Sequence, residues 1–272
     1  MKTDHDLPDL NGVERIVVTA AREELLPRFA RAKREFKADG SIVTEADLAV
    51  QSRIQQALAE AWPEIGFLGE EMPEAEQREM LVDAGNAIWV LDPLDGTSNF
   101  TAGLPFFSVS LALVIDGAPV LGIVHDPVRE ECFTARRRIG AWCNGEPLKL
   151  VGRALPLRRA IACVDFKRLD VSLAVRLVED PPYSSQRSLG SVALEWCWLA
   201  AGRAHVYLHG RQKLWDYAAG SLVLREAGGH SISLDGQPVF RAGVEPRSAV
   251  AALDAGLFRE WCDWLGIPVQ SG

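Results

Sequence analysis

The 272-residue sequence predicts an α+β first half, residues 1–150, followed by an α/β second half, residues 151–272. Three observations carry this. Two segments with a helical apolar period open the chain, a series of β-rich runs separated by Asp-Gly and Asn-Gly turns follows, and from about Leu150 strands and helices alternate. No repeat, low-complexity tract or flexible linker parts the halves, so they are expected to form one compact unit with a shared interface, a common place for a ligand cleft.

The first helix starts near Leu10, where Leu10, Val13, Ile16, Val17, Ala20 and Leu25 mostly keep helical spacing, and a bend is expected at Pro27. After the polar segment KADGS, Val50, Ile54, Ala57, Leu58 and Ala61 mark a second helix, with Thr44 and Asp47 as a capping box and Pro63 as its stop. IGFLGEE and AIWVLD are short apolar runs ending in acids. SVSLALVIDGAPVLGIVHDP predicts a hairpin, and ECFTARR and GAWCNGEPLKL extend the antiparallel pattern.

In the second half IACVDF and HVYLHG are expected strands, and SVALEWCWLAAGR and WDYAAGSLVLREAGG are expected helices, the latter closed by Gly228-Gly229. HSISLDGQPVF predicts a further hairpin, SAVAAL a strand and LFREWCDWLG the last helix. The tryptophans of LEWCWLAAG and FREWCDWLG are expected to pack in the core or at a subunit interface.

A net charge of −8 without a long basic stripe excludes an electrostatic footprint for direct nucleic-acid binding. No apolar run approaches the roughly 20 residues that span a bilayer, and MKTDHDLPDL lacks a cationic start and an apolar stretch. A cytoplasmic protein with no membrane partner is therefore expected. The five cysteines show no CxxC pair, which supports neither a disulfide framework nor a zinc site.

Carboxylates end three apolar runs: Glu70 and Glu71 after IGFLG, Asp92 and Asp95 after AIWVL, and Asp216 after HVYLHGRQKLW. Each alone has a plainer reading as a turn, a solvated loop or a helix cap. Together, at strand ends that converge on one sheet edge, they predict an acidic cluster, and like charges so packed need cations. An oxygen-only set suits a hard ion such as Mg²⁺ rather than zinc. Pro93 is expected to stiffen a turn that aims Asp92, Asp95 and the Leu94 carbonyl at one point. Gly96 and Thr97 at a helix start would offer N–H groups to an anion.

GEE at 69–71, WVLDPLDGTSNF at 89–100, LWDYAAGSLVLREAGG at 214–229 and VTEAD at 43–47 together resemble the signature motifs of the inositol monophosphatase family. The resemblance implies a layered αβαβα sandwich of the inositol monophosphatase and fructose-1,6-bisphosphatase type and a Mg²⁺-dependent, Li⁺-sensitive phosphomonoesterase using two or three ions. It implies that Glu70, Asp92 and the Leu94 carbonyl hold one ion and that Asp92, Asp95 and Asp216 hold another. Glu70, Thr97 and Asp47 would be catalytic, Thr97 orienting the attacking water with Asp47. Lys37 is similar to a lysine kept near the metal-dependent loop, and a homodimer is the family's common state.

Gly96, Thr97, Ser98, Lys37, Arg187, Gly190, Ser191, His209 and Asp216 are the implied substrate-binding positions, acting on a small phosphate ester. His209 departs from the glutamate of the animal enzymes, and it is read as a neutral hydrogen-bonding group, a cation for a second anionic group, or a surface histidine. Together with Arg187 and Arg211 it opens the alternative of adenosine 3′,5′-bisphosphate as substrate, although Ser98-Asn99 follows the inositol phosphatase pattern. Histidinol phosphate and fructose bisphosphate are minor candidates. An alternative of another class is a partner of the transcription machinery, a role that a bacterial relative serves. A calcium-binding EF-hand is excluded, because DPLDGTSNFTAG lacks alternating acids.

Overall fold

The computed structural model describes residues 7–37, 42–83, 87–150 and 155–268. Most of the KADGS segment, the first residues of the second half from 151 and the opening MKTDHD lie outside them. In chain order the elements are α1 (Leu10–Ala20), β1 (Glu35–Phe36), β2 (Ile42–Val43), α2 (Glu45–Ala61), β3 (Gly66–Gly69), α3 (Glu74–Asp83), β4 (Ala87–Asp95) and α4 (Thr97–Ala102). Then come β5 (Ser108–Ile115), β6 (Ala118–Asp126), β7 (Glu131–Arg136), β8 (Gly140–Cys143), β9 (Glu146–Leu148), β10 (Ile161–Asp165) and α5 (Val171–Glu179). The chain closes with β11 (Ser185–Arg187), α6 (Val192–Ala200), β12 (Val206–Gln212), α7 (Leu214–Ala227), β13 (His230–Ile232), β14 (Arg247–Ala252) and α8 (Ala255–Leu265).

Among the described residues β3 to β9 form a seven-stranded sheet in sequence order, parallel between β3 and β4 and antiparallel thereafter. A five-stranded sheet has the order β11-β10-β12-β14-β13, with β10 parallel to both neighbours. Both faces of the larger sheet are covered, and the period-2 alternation of β4 shows how. Trp89 and Leu91 face a core with Val13, Val17, Val50 and Ile54 of α1 and α2, while Ile88 and Val90 belong to the core shared with α6, α7 and the second sheet. α6 and α7 fill the space between the sheets, and α8 packs on the far face with α5 beside it, where Arg176 lies 3.9 Å from the Trp264 ring. The layers are thus αβαβα, and Trp196 and Trp261 are fully buried in them.

The Thr44–Asp47 capping box opens α2 as the sequence predicts, and the helix stops just before Trp62 and Pro63. α1 passes into a π turn at Ala21–Leu25, and Pro27 sits in a 3₁₀ turn, Leu26–Arg28. The HSISLDGQPVF hairpin does not form. Its turn exists, with Ser233 accepting the Gln237 N–H at 2.9 Å, but β13 pairs with β14 instead of with the returning limb. α3, α5 and β11 are additions to the predicted elements. No helix among the described residues is long and apolar enough to cross a membrane.

Candidate active site

In a regular strand, residues three apart point to opposite faces. Asp92 and Asp95 nevertheless share one, because a bulge lies between them: Asp92 pairs with Ser110 and Asp95 with Ser108, three steps of β4 against two of β5. The expected rigid turn at Pro93 is therefore a bulged strand. Its extra residue is accommodated where proline removes a donor, and the Leu94 N–H turns inward to the Asp92 Oδ1 at 3.0 Å.

Asp95 is anchored from the other half of the chain. Its Oδ2 accepts the Ser191 hydroxyl at 2.6 Å and the Ala193 N–H at 2.7 Å, and its Oδ1 accepts the Val192 N–H at 3.1 Å. A carboxylate from β4 thus caps the N-terminus of α6. Burial pushes Asp95 up to about 6, with these three bonds pulling the other way. Asp216, in the first turn of α7, accepts the Lys213 N–H at 2.7 Å. Its carboxyl is raised well above the usual range by burial, then by Asp95 and Glu70. Asp92 is raised likewise by burial, then by Glu70, Asp95 and Asp216.

Glu70 follows β3. Its N–H donates to the Leu91 carbonyl at 3.0 Å, and the Gln77 amide of α3 donates to the Gly69 and Glu70 carbonyls at 3.0 and 3.1 Å. Lys37 Nζ stands 3.3 Å from Glu70 and 2.7 Å from Glu71. Burial pushes Glu71 up to about 7, with Glu70 adding to it and Lys37 opposing. Asp47 is fixed by the Thr44 N–H and hydroxyl at 2.8 and 2.6 Å, and burial pushes it up to about 6. The Thr97 hydroxyl lies 3.0 Å from the Leu94 carbonyl and 3.4 Å from Asp47.

Four acids from three elements therefore form one electrostatic unit in a buried place, with only Lys37 as an ion-pair partner among the described residues. Among those residues no three acids close into a finished ligand set. The donor chemistry still fits a hard divalent ion: every candidate group is an oxygen, and the mutual raising of the acids is the repulsion that a cation relieves.

Gly96 joins the cluster to α4 at φ +98°, and a Cβ there would stand 3.0 Å from the Phe106 carbonyl and 3.2 Å from that of Gly190, so only glycine fits. Ser98 is exposed beside it, and Gly190 is an exposed loop residue. Ser191 needs a correction: it is fully buried, and its hydroxyl serves Asp95 and Ser108 rather than an open substrate face. Arg187 donates to the Ser185 hydroxyl at 2.7 Å and the Gln186 carbonyl at 2.8 Å, bonds within its own strand β11. His209 is buried, not a surface histidine. Its Nδ1 accepts the Arg211 N–H at 3.2 Å and its Nε2 lies 3.4 Å from Asp165, which uses both ring nitrogens as a neutral hydrogen-bonding group does.

Two residues with a structural part in the site are not legible in the sequence. Asn99 donates to the Phe106 and Leu189 carbonyls at 2.8 and 2.7 Å, tying α4 to the 188–190 loop. Glu195 accepts the Leu189 N–H at 2.7 Å from beneath that loop, and burial pushes it up to about 8. The only local signal is a polar residue inside an otherwise apolar helix, LEWCWLA.

The family model for the inositol monophosphatase family matches residues 9–260. The chain is 36% identical over 199 residues to a Nus factor SuhB of Pasteurella multocida, covering 71% of this chain and 72% of the relative. It is 35% identical over 199 residues to inositol monophosphatase 1 of Solanum lycopersicum, with 71% and 72% covered. The crystal structure of the extragenic suppressor protein suhB from Bartonella henselae superposes with a TM-score of 0.81 at 27% identity, covering 95% of this chain and 98% of that one. With the αβαβα layers and the acid cluster in place, these matches establish that the chain belongs to the inositol monophosphatase family.

Proposed function

We propose that this chain hydrolyses inositol monophosphate or a similar polyol or sugar monophosphate, with two or three Mg²⁺ ions as cofactor. Family membership supports a phosphatase acting on small phosphate esters with metal dependence. The observation that carries the reading is the bulge that turns Asp92 and Asp95 to one face, beside Glu70 and Asp216. Glu70, Asp92, the Leu94 carbonyl, Asp95 and Asp216 would hold the ions. Bound Mg²⁺ would supply an activated water and compensate the charge on the leaving oxygen.

The chain's own groups do the positioning. The Thr97 hydroxyl, with its hydrogen directed to Leu94 or Asp47, keeps lone pairs free to accept a hydrogen from the attacking water. Asp47 orients that hydroxyl, and Glu70 is a second proton acceptor near it. The N–H groups of Gly96, Thr97 and Ser98 are the donors proposed for the phosphate, and Lys37 balances charge beside Glu70. A homodimer and inhibition by Li⁺ belong to the same proposal.

The SuhB relative supports a second reading, a partner of the transcription machinery with phosphatase activity as a secondary property. A phosphate-release panel in Mg²⁺ decides between them, comparing inositol 1-phosphate, adenosine 3′,5′-bisphosphate, fructose 1,6-bisphosphate and histidinol phosphate. Release from inositol 1-phosphate is expected. Strong preference for the nucleotide would replace the substrate, and no release from any would leave the partner role as the better account.

A further inference from the structure

β11, β10 and β12 lie side by side and run parallel, so their C-terminal ends share one edge of the second sheet. In sheets of this kind the crevice beyond those ends is where ligands are received. The two outer strands of the three lead into the acid cluster. The chain leaving β11 reaches Ser191, Val192 and Ala193, the donors to Asp95, and the chain leaving β12 reaches Asp216 in the first turn of α7. β10, between them, ends on Asp165. A carboxylate therefore stands on the middle strand of this edge, flanked on both sides by segments that build the site.

Asp165 pairs in register with His209 of β12, and the two side chains divide the work at this point. His209 Nδ1 accepts the Arg211 N–H at 3.2 Å, so the ring hydrogen of the neutral imidazole is on Nε2, which lies 3.4 Å from Asp165 Oδ2. The histidine side chain is 4% exposed and that of the aspartate 26%, so the carboxylate is the group of the pair that a ligand can reach. It is steadied from its other oxygen by the 3₁₀ turn Phe166–Arg168, whose Lys167 N–H donates to Oδ1 at 3.0 Å. That turn lies close on β12: a Cβ on Gly210 would stand 1.8 Å from the Arg168 carbonyl, so the approach exists only because residue 210 is glycine. A carboxylate offers about four acceptor positions on its two oxygens, and these two contacts leave others open.

A carboxylate so placed repels a phosphate and can only accept hydrogens. In a polyol or sugar monophosphate the groups that supply them are the hydroxyls of the ring or chain. We propose that Asp165, oriented by His209, is a specificity-determining residue that accepts hydrogen bonds from the hydroxyls of a polyol or sugar monophosphate. The inference rests on the phosphatase reading and names the part of the substrate that the second half of the chain reads. A site built to hydrogen-bond a hydroxyl discriminates against an analogue that lacks it, because the acceptor is then left unpaired.

The test compares wild type, Asp165→Asn and Asp165→Ser in phosphate release from inositol 1-phosphate and in product inhibition by inorganic phosphate, which carries no carbon-bound hydroxyl. Asn and Ser serve at helix starts as Asp does, so a residue that only caps the 3₁₀ turn would leave both readings unmoved. A carboxylate that merely stands near an anionic ester repels it, and neutralising it would lower KM. Bonds to hydroxyls give the opposite sign: both variants are expected to raise KM for inositol 1-phosphate about tenfold with kcat nearly unchanged, and to move inhibition by inorganic phosphate less than about twofold. An unchanged or lowered KM, an equal weakening of ester and inorganic phosphate, or a loss confined to kcat would overturn the inference and leave the phosphatase reading standing. If wild type releases no phosphate, that reading fails, and calorimetric binding of inositol 1-phosphate decides this one. Affinity about tenfold weaker in Asp165→Asn supports the assignment; equal affinity, or no binding to wild type, overturns it.

Discussion

Asp95 and Arg168 both act on Asp216, one raising its carboxyl's pKa and the other lowering it, yet they are held in opposite ways. Asp95 is buried, and its two oxygens receive three donors from residues 191–193, nearly a hundred positions along the chain. Arg168 is placed by its backbone, while its head is exposed and unbonded among the described residues. The contrast separates two demands. Acids that must stay close despite repulsion need every orientation fixed, because a free carboxylate would swing away. An exposed side chain outside the cluster carries no such demand, and its backbone alone is placed.

The heaviest blow to the fixed side is Asp95→Asn. Its amide would present a donor where Ser191, Val192 and Ala193 already supply donors, so the proposed metal ligand and the cap of α6 are weakened together. Phosphate release should fall by more than about 100-fold, with a stability loss of about 1 kcal/mol from the cap. Near-wild-type turnover in saturating Mg²⁺ would remove Asp95 from the ligand set. Next in size is Thr97→Val, which keeps shape and deletes the hydroxyl between Leu94 and Asp47. We expect kcat to drop by about 10² with a smaller change in KM, and the reverse split would mean that Thr97 binds substrate instead.

A smaller effect comes from beneath the 188–190 loop. Glu195 is raised from its ordinary 4.5 to about 8, so between those values the folded chain holds a proton that the unfolded chain has released. Stability therefore falls as pH rises through this window and is level outside it. Glu195→Gln keeps an acceptor for the Leu189 N–H and removes that slope. At pH 9 the variant should be the more stable protein, by on the order of 2 kcal/mol, and at pH 4 the two should match. Parallel denaturation midpoints across the range would show that Glu195 stays ionised in the fold.

The parts of this design differ in how far local sequence records them. The Thr44–Asp47 box, the strand that carries Asp92 and the helix with Asp216 in its first turn follow from short-range capping and periodicity, although β4 runs on to Asp95 where a turn was expected. The shared face of Asp92 and Asp95 was legible as a pair, but its cause was not, since a bulge is defined by the partner strand. α3, EAEQREMLVD, gathers its large apolar residues in its last turn and so gave no apolar stripe. The predicted partner of β13 lost to β14 because β14 is already built into the sheet by β12. Asn99 sits inside the WVLDPLDGTSNF motif, but its bond to Leu189, 90 positions along the chain, does not show there, and neither does the approach of the Arg168 carbonyl to Gly210; Glu195 acts locally, on Leu189 six residues earlier, and a lone acid in an apolar helix does not name its partner. Ser191 was expected at the substrate face, but it is buried and its hydroxyl donates to Asp95.

A divalent-cation site for phosphate-ester hydrolysis, as proposed for the acids at the end of β4, makes the protein's turnover depend on that ion. Titrating Mg²⁺ back into chelator-stripped protein while following phosphate release from inositol 1-phosphate, in wild type and in Asp92→Asn, tests it most directly. Loss of activity on stripping, saturable recovery in the wild type and no recovery in the variant over the same range are expected. Turnover that survives the chelator, or recovers equally in Asp92→Asn, would contradict it.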